Sequence, residues 1–195
     1  VKVTITSHQG PITTARVLPS HRQIEVTIDP NGTASFVVNQ PGQFAVEING
    51  RMDEHPLLIF ADPPETNVPD RNAPNVRWFD PGVYNLGNEP QAVAAGETIY
   101  LAPGALVYGR FTGTDASDVR LTGRGILAGT PYPPTPPNTY TAPHLFQLRG
   151  ESHRFRADGI TFLNSPHYNL LVRGRNAHVQ NIKMIAWWFC TDGLG

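Results

Sequence analysis

The chain has 195 residues, with 15 basic and 16 acidic side chains, so its formal net charge is −1. Because no basic stretch is present, the composition argues against binding to nucleic acid or to an anionic membrane surface. No apolar run is long enough to cross a bilayer, which excludes a membrane-spanning segment. The single cysteine, Cys190, excludes an internal disulfide and is expected to be a small buried apolar side chain.

The N-terminal part of the chain contains short segments in which polar and apolar residues alternate. The opening segment, VKVTIT, places Val1, Val3 and Ile5 on one face of a strand. Turn sequences such as DPNG separate these segments, and glycine and proline are frequent in the whole chain, with 18 and 19 residues. Strands at this spacing predict an N-terminal β-sandwich over residues 1–65.

A proline-rich segment follows the predicted sandwich. Residues 61–75, ADPPETNVPDRNAPN, contain four prolines and several polar residues, a composition typical of a stiff connector. We therefore place a linker at residues 66–75 and a second domain at residues 76–195.

Similar segments recur along this second domain, namely Gly125-Ile126, Gly159-Ile160 and Asn181-Ile182. The last two are separated by about 22 residues, a spacing within the range of structural repeats. The first interval is longer, and its surplus equals the length of the proline-rich loop 131–142. Short strands with this period and no helices predict a β-solenoid, in which each coil buries its inward residues against its neighbours. A sandwich that continues through the whole chain is the alternative.

The repeat also predicts which residues stack on successive coils. Once the 131–142 loop is removed, the coils align with a constant interval. The predicted columns are Leu121, Phe155 and Ala177; Ile126, Ile160 and Ile182; Ala128, Phe162 and Met184; and Phe146 and Leu148 against Tyr168 and Leu170.

The C-terminal residues 164–195, NSPHYNLLVRGRNAHVQNIKMIAWWFCTDGLG, resemble the polygalacturonases of glycoside hydrolase family 28. The motif of that family runs asparagine-serine-proline, an aromatic residue, a strand ending in asparagine-valine, then asparagine-isoleucine and asparagine-threonine-aspartate-glycine. Upstream, PGVYNLG, IYLAPGALVYG and LTGRGILAG look like the entry coils of the same right-handed parallel β-helix. The family 49 dextranases and isopullulanases are a close rival, because they share that helix behind an N-terminal β-sandwich and carry aromatic residues before Thr-Asp-Gly.

The chain departs from the family 28 pattern in two respects. Cys190 stands where that family usually has asparagine. The double aspartate, the glycine-histidine and the arginine-x-lysine of later coils do not occur before Gly195. We therefore expect the chain to be part of a longer protein, whose remaining C-terminal β-helix coils are needed for a complete site.

The resemblance implies a catalytic role for Asp192, as one of three clustered aspartates in an inverting glycosidase. Such enzymes use a protonated acid and a carboxylate that activates water, with the two groups about 6.5–9.5 Å apart. In this family type the first aspartate helps to hold the water, and the acid lies on the next coil. From the residues alone, the alternative is a turn aspartate before Gly193.

Four further residues are candidates for substrate binding: His167, Asn169, Trp187 and Trp188. His167 and Asn169 precede Asp192 by about one coil, which places them near the same surface if the period holds. The adjacent tryptophans face opposite ways on a strand, so one can join the core while the other stacks on a sugar ring. A solvated turn histidine and two core tryptophans are the alternatives.

These observations predict an all-β protein with an N-terminal β-sandwich and the first coils of a right-handed parallel β-helix. No metal or cofactor is expected, since Asp158 and Asp192 are isolated acids, unlike the calcium ligands of pectate lyases. The resemblance implies a secreted or periplasmic inverting hydrolase of an α-linked polysaccharide. Polygalacturonate is the leading substrate, with dextran or pullulan close behind, and a non-catalytic glycan-binding β-helix is the alternative from another class.

Overall fold

The computed structural model describes residues 1–52, 57–133, 143–188 and 191–195. The chain forms two compact units, Val1–Pro64 and Glu65–Gly195. Within the described residues, helix is limited to a single 3-10 turn, Ser20–Arg22, and none of it could cross a membrane. Cys190, which is predicted to be buried, and most of the 131–142 loop lie outside the described residues.

The first unit consists of two three-stranded antiparallel sheets. Its strands are β1 (Lys2–Ile5), β2 (Ala15–Leu18), β3 (Thr27–Ile28), β4 (Ala34–Val37), β5 (Gly42–Ile48) and β6 (Leu57–Ala61). One sheet has the order β1-β4-β3 and the other the order β2-β5-β6. Alternate residues of both sheets, among them Ile5, Phe36, Val17 and Val46, form one apolar core. This arrangement confirms the predicted β-sandwich.

The second unit is a parallel β-helix. Its described strands are β7 (Val76–Phe79), β8 (Gly82–Asn85), β9 (Gln91–Ala92), β10 (Thr98–Leu101), β11 (Ala105–Tyr108), β12 (Phe111–Thr114), β13 (Arg120–Gly123), β14 (Ile126–Ala128), β15 (Phe146–Arg149), β16 (Arg156–Asp158), β17 (Thr161–Leu163), β18 (Leu170–Val172), β19 (His178–Gln180) and β20 (Lys183–Ile185).

Every third strand of this unit belongs to the same parallel sheet. The first sheet has the order β7-β10-β13-β16-β19, the second β8-β11-β14-β17-β20, and the third β9-β12-β15-β18. A parallel bridge between Leu170 and Leu194 extends the third sheet by one coil. The described residues thus wind through about five coils, which confirms the predicted solenoid.

The core of the β-helix consists of inward residues that stack from coil to coil. Phe162, fully buried, lies between Leu127 on the preceding coil and Met184 on the following one. Phe111, Phe146 and Leu170 form the corresponding column of the third sheet and are at most 1% exposed. Each such side chain contributes about 1.5–3 kcal/mol through burial, so a coil is stabilised mainly by its neighbours.

The predicted interval is confirmed between the fourth and fifth coils, where Arg156 pairs with His178 and Thr161 with Lys183. The predicted pairs that join the third coil to the fourth across the 131–142 loop are wrong by one or two residues. The predicted pairing of Phe146 and Leu148 with Tyr168 and Leu170, in the third sheet, is wrong by two residues. The observed pairs are Leu121 with Ala157, Ile126 with Thr161, Leu127 with Phe162, Phe146 with Leu170, and Leu148 with Val172. Turns between sheets vary in length by one or two residues, and a constant interval cannot represent that variation.

Residues Glu65–Asn75, which include the predicted linker, belong to the second unit. Glu65 accepts a hydrogen bond from the Tyr100 hydroxyl, with 3.1 Å between the oxygens. The end of the segment is a tight turn, in which the Ala73 N–H donates to the carbonyl of Asp70 at 3.2 Å. Part of this segment therefore packs along the β-helix.

Candidate functional site

Asp192 lies where the fifth coil enters the third sheet. Its backbone carbonyl accepts a hydrogen bond from the Asn169 N–H at 2.9 Å, and the next carbonyl, of Gly193, accepts one from Leu170 at 3.1 Å. These bonds continue the parallel ladder beyond β18. Asp192 itself is exposed, so its carboxyl group lies at the surface of the solenoid and not in the apolar core.

Asn169 contacts Asp192 through its side chain as well. Its Nδ2–H donates to the Asp192 carbonyl at 2.9 Å, while Oδ1 is buried without a hydrogen-bond partner in the described residues. Asn169 is only 1% exposed. The structure thus places this predicted substrate-binding residue beneath the surface, where it holds the backbone that carries the candidate acid.

The backbone register of the third sheet aligns three residues on successive coils. Phe146 pairs with Leu170, and Leu170 pairs with Leu194. Counting back two positions on each coil places His144, Tyr168 and Asp192 at equivalent positions. Because neighbouring coils are about 4.8 Å apart, these three residues form a column at the entrance to the third sheet.

His167 lies next to this column and contacts its first member. The Nδ1 atoms of His167 and His144 are 3.3 Å apart, and the ring centroids are separated by 5.0 Å. Tyr168 packs edge-on against both imidazoles, with centroid distances of 5.4 Å to His144 and 4.8 Å to His167. The structure therefore brings together His167, His144 and Tyr168 one and two coils before Asp192.

The hydrogen bonds determine the tautomer of His144. The Tyr168 N–H donates to His144 Nδ1 at 3.3 Å, so this nitrogen is an acceptor and the ring proton lies on Nε2. Burial, assisted by the nearby charges of His167, Arg149 and Arg173, lowers the pKa of His144 to about 4. His144 is therefore neutral at pH 7 and offers its Nε2–H as a donor, while His167 can donate its own Nδ1–H to His144.

The Asn-Ser-Pro motif builds the bend that presents these rings. Ser165 donates its hydroxyl to the Tyr168 carbonyl at 2.6 Å, and the His167 N–H donates to the same hydroxyl oxygen at 3.3 Å. Asn164 and Ser165 are both fully buried, and Asn164 has a left-handed φ of 49°. This internally bonded bend fixes where His167 and Tyr168 leave the coil.

The two tryptophans differ in exposure. Trp187 is 68% exposed. Trp188 is partly buried, and its carbonyl accepts a hydrogen bond from the Thr191 hydroxyl at 2.7 Å. Trp187 is therefore the member of the pair that presents its ring to solvent in the segment leading to Asp192.

Sequence reasoning missed His144. A constant interval between coils aligns Tyr168 with Phe146, whereas the observed register of the third sheet aligns Tyr168 with His144. The signal that could have found it is the match of Phe146 and Leu148 to Leu170 and Val172, which are also apolar and have the same alternate spacing.

The described side chains of this site are polar or aromatic. Where the structure describes the chain, no group of three His, Cys, Asp or Glu residues could hold a metal ion. The site offers one exposed carboxyl group, two imidazoles and an exposed indole. Such groups can accept and donate hydrogen bonds to sugar hydroxyls and stack on the apolar face of a sugar ring.

The two units together define the class of protein, a parallel β-helix that follows an N-terminal β-sandwich. The structure is similar to that of Dex49A from Penicillium minioluteum, with a TM-score of 0.75 and 17% sequence identity, over 99% of this chain and 47% of Dex49A. The chain thus spans about half the length of Dex49A. The sequence matches no protein-family model and no curated protein. The similarity confirms the predicted fold, while membership of family 28 or family 49 stays a prediction.

Proposed function

We propose that the protein containing this chain is an inverting glycoside hydrolase that cleaves an α-linked polysaccharide, with an α-glucan of the dextran type as substrate. The name of Dex49A denotes a dextranase of family 49, and its fold extends over both units of this chain. This likeness favours the dextranase-type alternative over the polygalacturonase expected first from the sequence. Action on a polysaccharide also favours a secreted or periplasmic protein.

The observation that carries the proposal is the placement of Asp192, exposed at a coil edge and held from below by Asn169. In the proposed mechanism Asp192 holds the water that attacks the anomeric carbon. A second carboxyl group, from a coil after Gly195, protonates the leaving oxygen. Stacked coils about 4.8 Å apart can separate two such groups by the roughly 6.5–9.5 Å that inversion requires, since that range lies between the rise of one coil and the rise of two.

The neighbouring rings have binding roles in this proposal. His144, neutral with its proton on Nε2, donates to a sugar hydroxyl, and His167 holds that ring through the Nδ1 contact. The exposed indole of Trp187 stacks on a pyranose ring of the bound chain. Asn169 acts as a positioning residue, because it contacts the backbone of Asp192 and is almost completely shielded from solvent.

Polygalacturonate is the second candidate substrate. Arg149 and Arg173 are exposed and lie near enough to His144 to help lower its pKa. Guanidinium groups form bidentate pairs with carboxylates, so two of them beside the column suit a uronate chain.

The test is reducing-end release by the whole protein from dextran, pullulan and polygalacturonate, with the anomer of the first product followed by proton NMR. We expect release from dextran and a β-anomer as the first product. Release from polygalacturonate alone would select the second candidate. An α-anomer contradicts inversion, and binding to these glycans without release from any of them contradicts the hydrolase and indicates a glycan-binding β-helix.

A further inference from the structure

A cleft of about 630 Å³ lies on the outer face of the first sheet, away from the third sheet that carries Asp192. Its floor is formed by β13, β16 and β19, and its wall by residues 65–69 of the preceding segment. Every lining residue belongs to the second unit. Nothing in the mechanism proposed above uses this surface.

The parallel register arranges the floor of the cleft in two rows. The basic row contains Arg120, Arg156 and His178, which are paired across β13, β16 and β19. The acceptor row lies two positions further along the same strands and contains Thr122, Asp158 and Gln180. Neighbours within a row are about 4.8 Å apart, and the two rows are separated by about 6.6 Å along the strands.

The acidic groups of the cleft already have partners. Arg124 lies 3.7 Å from Asp158 and 3.9 Å from Glu65. Asp158 also accepts a hydrogen bond from Gln180 Nε2 at 3.3 Å, and Glu65 accepts one from Tyr100. These contacts hold the two carboxylates in place. Each carboxylate still has oxygen lone pairs that can accept hydrogen bonds from a ligand.

In the basic row, His178 Nε2 lies 3.0 Å from Gln180 Oε1, whereas neither Arg120 nor Arg156 has an ion-pair partner among the described residues. Asp118 interacts with Arg120 through its charge, but its carboxylate forms its two hydrogen bonds, of 2.7 and 2.6 Å, with Arg154. Like charges directly opposite each other on neighbouring strands destabilise a sheet, so Arg120 and Arg156 repel each other without an ion-pair partner of their own.

We propose that this cleft binds an acidic polysaccharide, through an oxyanion of the sugar that lies on the basic row between Arg120 and Arg156. A carboxylate or a sulfate ester accepts bidentate hydrogen bonds from guanidinium groups and removes their repulsion. Hydroxyls of the same sugar donate to Asp158 and contact Gln180 in the acceptor row. The separation of the two rows suits a single sugar that carries its charge on one side and its hydroxyls on the other.

The mixed charge of the cleft favours a saccharide over a nucleic acid. Glu65 and Asp158 lie in the same cleft as the basic row and repel a densely charged phosphate backbone. A sugar with one charge and several hydroxyls instead matches cations and acceptors together. The proposal stands independently of the proposed hydrolysis, because it concerns binding on another sheet.

The experiment measures binding by calorimetry to the whole protein carrying Asp192→Asn, which prevents turnover of the ligand. The probes are trigalacturonate, a sulfated oligosaccharide, neutral isomaltotriose and a short single-stranded oligonucleotide. We expect an acidic sugar to bind with an affinity that falls as salt rises and that depends on Arg120 and Arg156, whereas isomaltotriose binding, at the proposed dextran site, does not depend on them. The stronger of the two acidic probes identifies the carboxylate or the sulfate as the ligand group.

The double variant Arg120→Gln and Arg156→Gln should lose this affinity by about tenfold or more, because it removes the charged donors. Its melting temperature should be equal or higher, since the repulsion is relieved. The matched control, Lys2→Gln with Arg22→Gln in the first unit, removes the same charge and should leave binding unchanged. A loss of isomaltotriose affinity in the Arg120 and Arg156 variant as large as the loss for the acidic sugar, tighter binding of the oligonucleotide, or full affinity of that variant for the acidic sugar would overturn the proposal.

Discussion

The side chain of Asn169 holds the backbone of Asp192, with 2.9 Å between Asn169 Nδ2 and the Asp192 carbonyl oxygen. The backbone N–H of Asn169 donates to the same oxygen at 2.9 Å. One buried residue thus makes two hydrogen bonds to the residue that carries the candidate catalytic acid on the following coil. The position of the acid therefore depends on a side chain that is itself shielded from solvent.

Asn169→Ala should loosen Asp192 without unfolding the coil. The variant loses one hydrogen bond while the backbone bond stays, so we expect a loss of about 1 kcal/mol in local stability. Amide hydrogen exchange of residues 191–195 should accelerate, and kcat of the whole protein should fall more than KM rises. The control is Asn39→Ala, an exposed asparagine of the first unit. Unchanged exchange in the Asn169 variant would show that the backbone ladder alone positions Asp192.

His144 should make the second unit less stable in acid. Its folded pKa of about 4 lies below the ordinary value of 6.5, because burial and the charges of His167, Arg149 and Arg173 disfavour the imidazolium. As pH falls below 6.5 the unfolded chain takes up a proton that the folded chain does not. This stability is therefore fully present above pH 6.5 and is lost as pH falls to about 4.

The measurement is the melting temperature between about pH 7 and about pH 4.5, compared for the native protein and His144→Gln. The variant should show a smaller decrease, because it has no group at this position to titrate. His21→Gln, at an exposed site in the first unit, should follow the native curve. The same acid-dependent decrease in the His144 variant would contradict the assignment of a neutral imidazole.

Trp187→Ala should weaken binding of the polysaccharide substrate. The indole is 68% exposed, so the variant should fold normally. Loss of stacking should raise KM or the dissociation constant by about tenfold. Val83→Ala, at a residue that is 71% exposed on β8, is the control for an exposed apolar side chain elsewhere on the helix. Equal affinity in the native protein and the Trp187 variant would exclude a stacking role.

The solenoid core can be tested with the same substitution on two adjacent coils. Val107 of β11 is fully buried, whereas Val83 of β8 is 71% exposed. Val107→Ala should cost about 2 kcal/mol, while Val83→Ala should stay within about 0.5 kcal/mol. Tryptophan fluorescence can follow the unfolding, because Trp78, Trp187 and Trp188 all lie in the second unit. Similar effects of the two variants would contradict the assigned inward and outward faces.

The fold could be predicted from the sequence because its signals are local. Alternation in segments such as VKVTIT determines which side chains face inward, and glycine and proline mark the turns. The sequence shows the repeat because the fourth and fifth coils are separated by the same number of residues in the first sheet and in the second sheet. The winding of the chain follows from these features without any knowledge of distant contacts.

The site could be predicted only in part, because its geometry depends on turn lengths and distant pairs. A longer turn before β18 shifts Tyr168 onto His144, and only the apolar match of Phe146 and Leu148 to Leu170 and Val172 records that shift in the sequence. The hydrogen bond between Tyr100 and Glu65 likewise joins residues 35 positions apart, so the predicted linker gave no sign that it borders a cleft. Asp192 could be recognised as a candidate because its motif, Thr-Asp-Gly, consists of consecutive residues and needs no knowledge of turn lengths.

The most direct test of the account is the rate of reducing-end release from dextran by the whole protein with Asp192→Asn. The substitution keeps the size of the side chain and removes its carboxyl group. If Asp192 holds the attacking water, the rate should fall by about 10²–10⁴-fold, whereas Asp118→Asn, an exposed acid elsewhere on the helix, should retain the native rate. A native rate in the Asp192 variant would contradict the account and leave Asp192 as a turn residue.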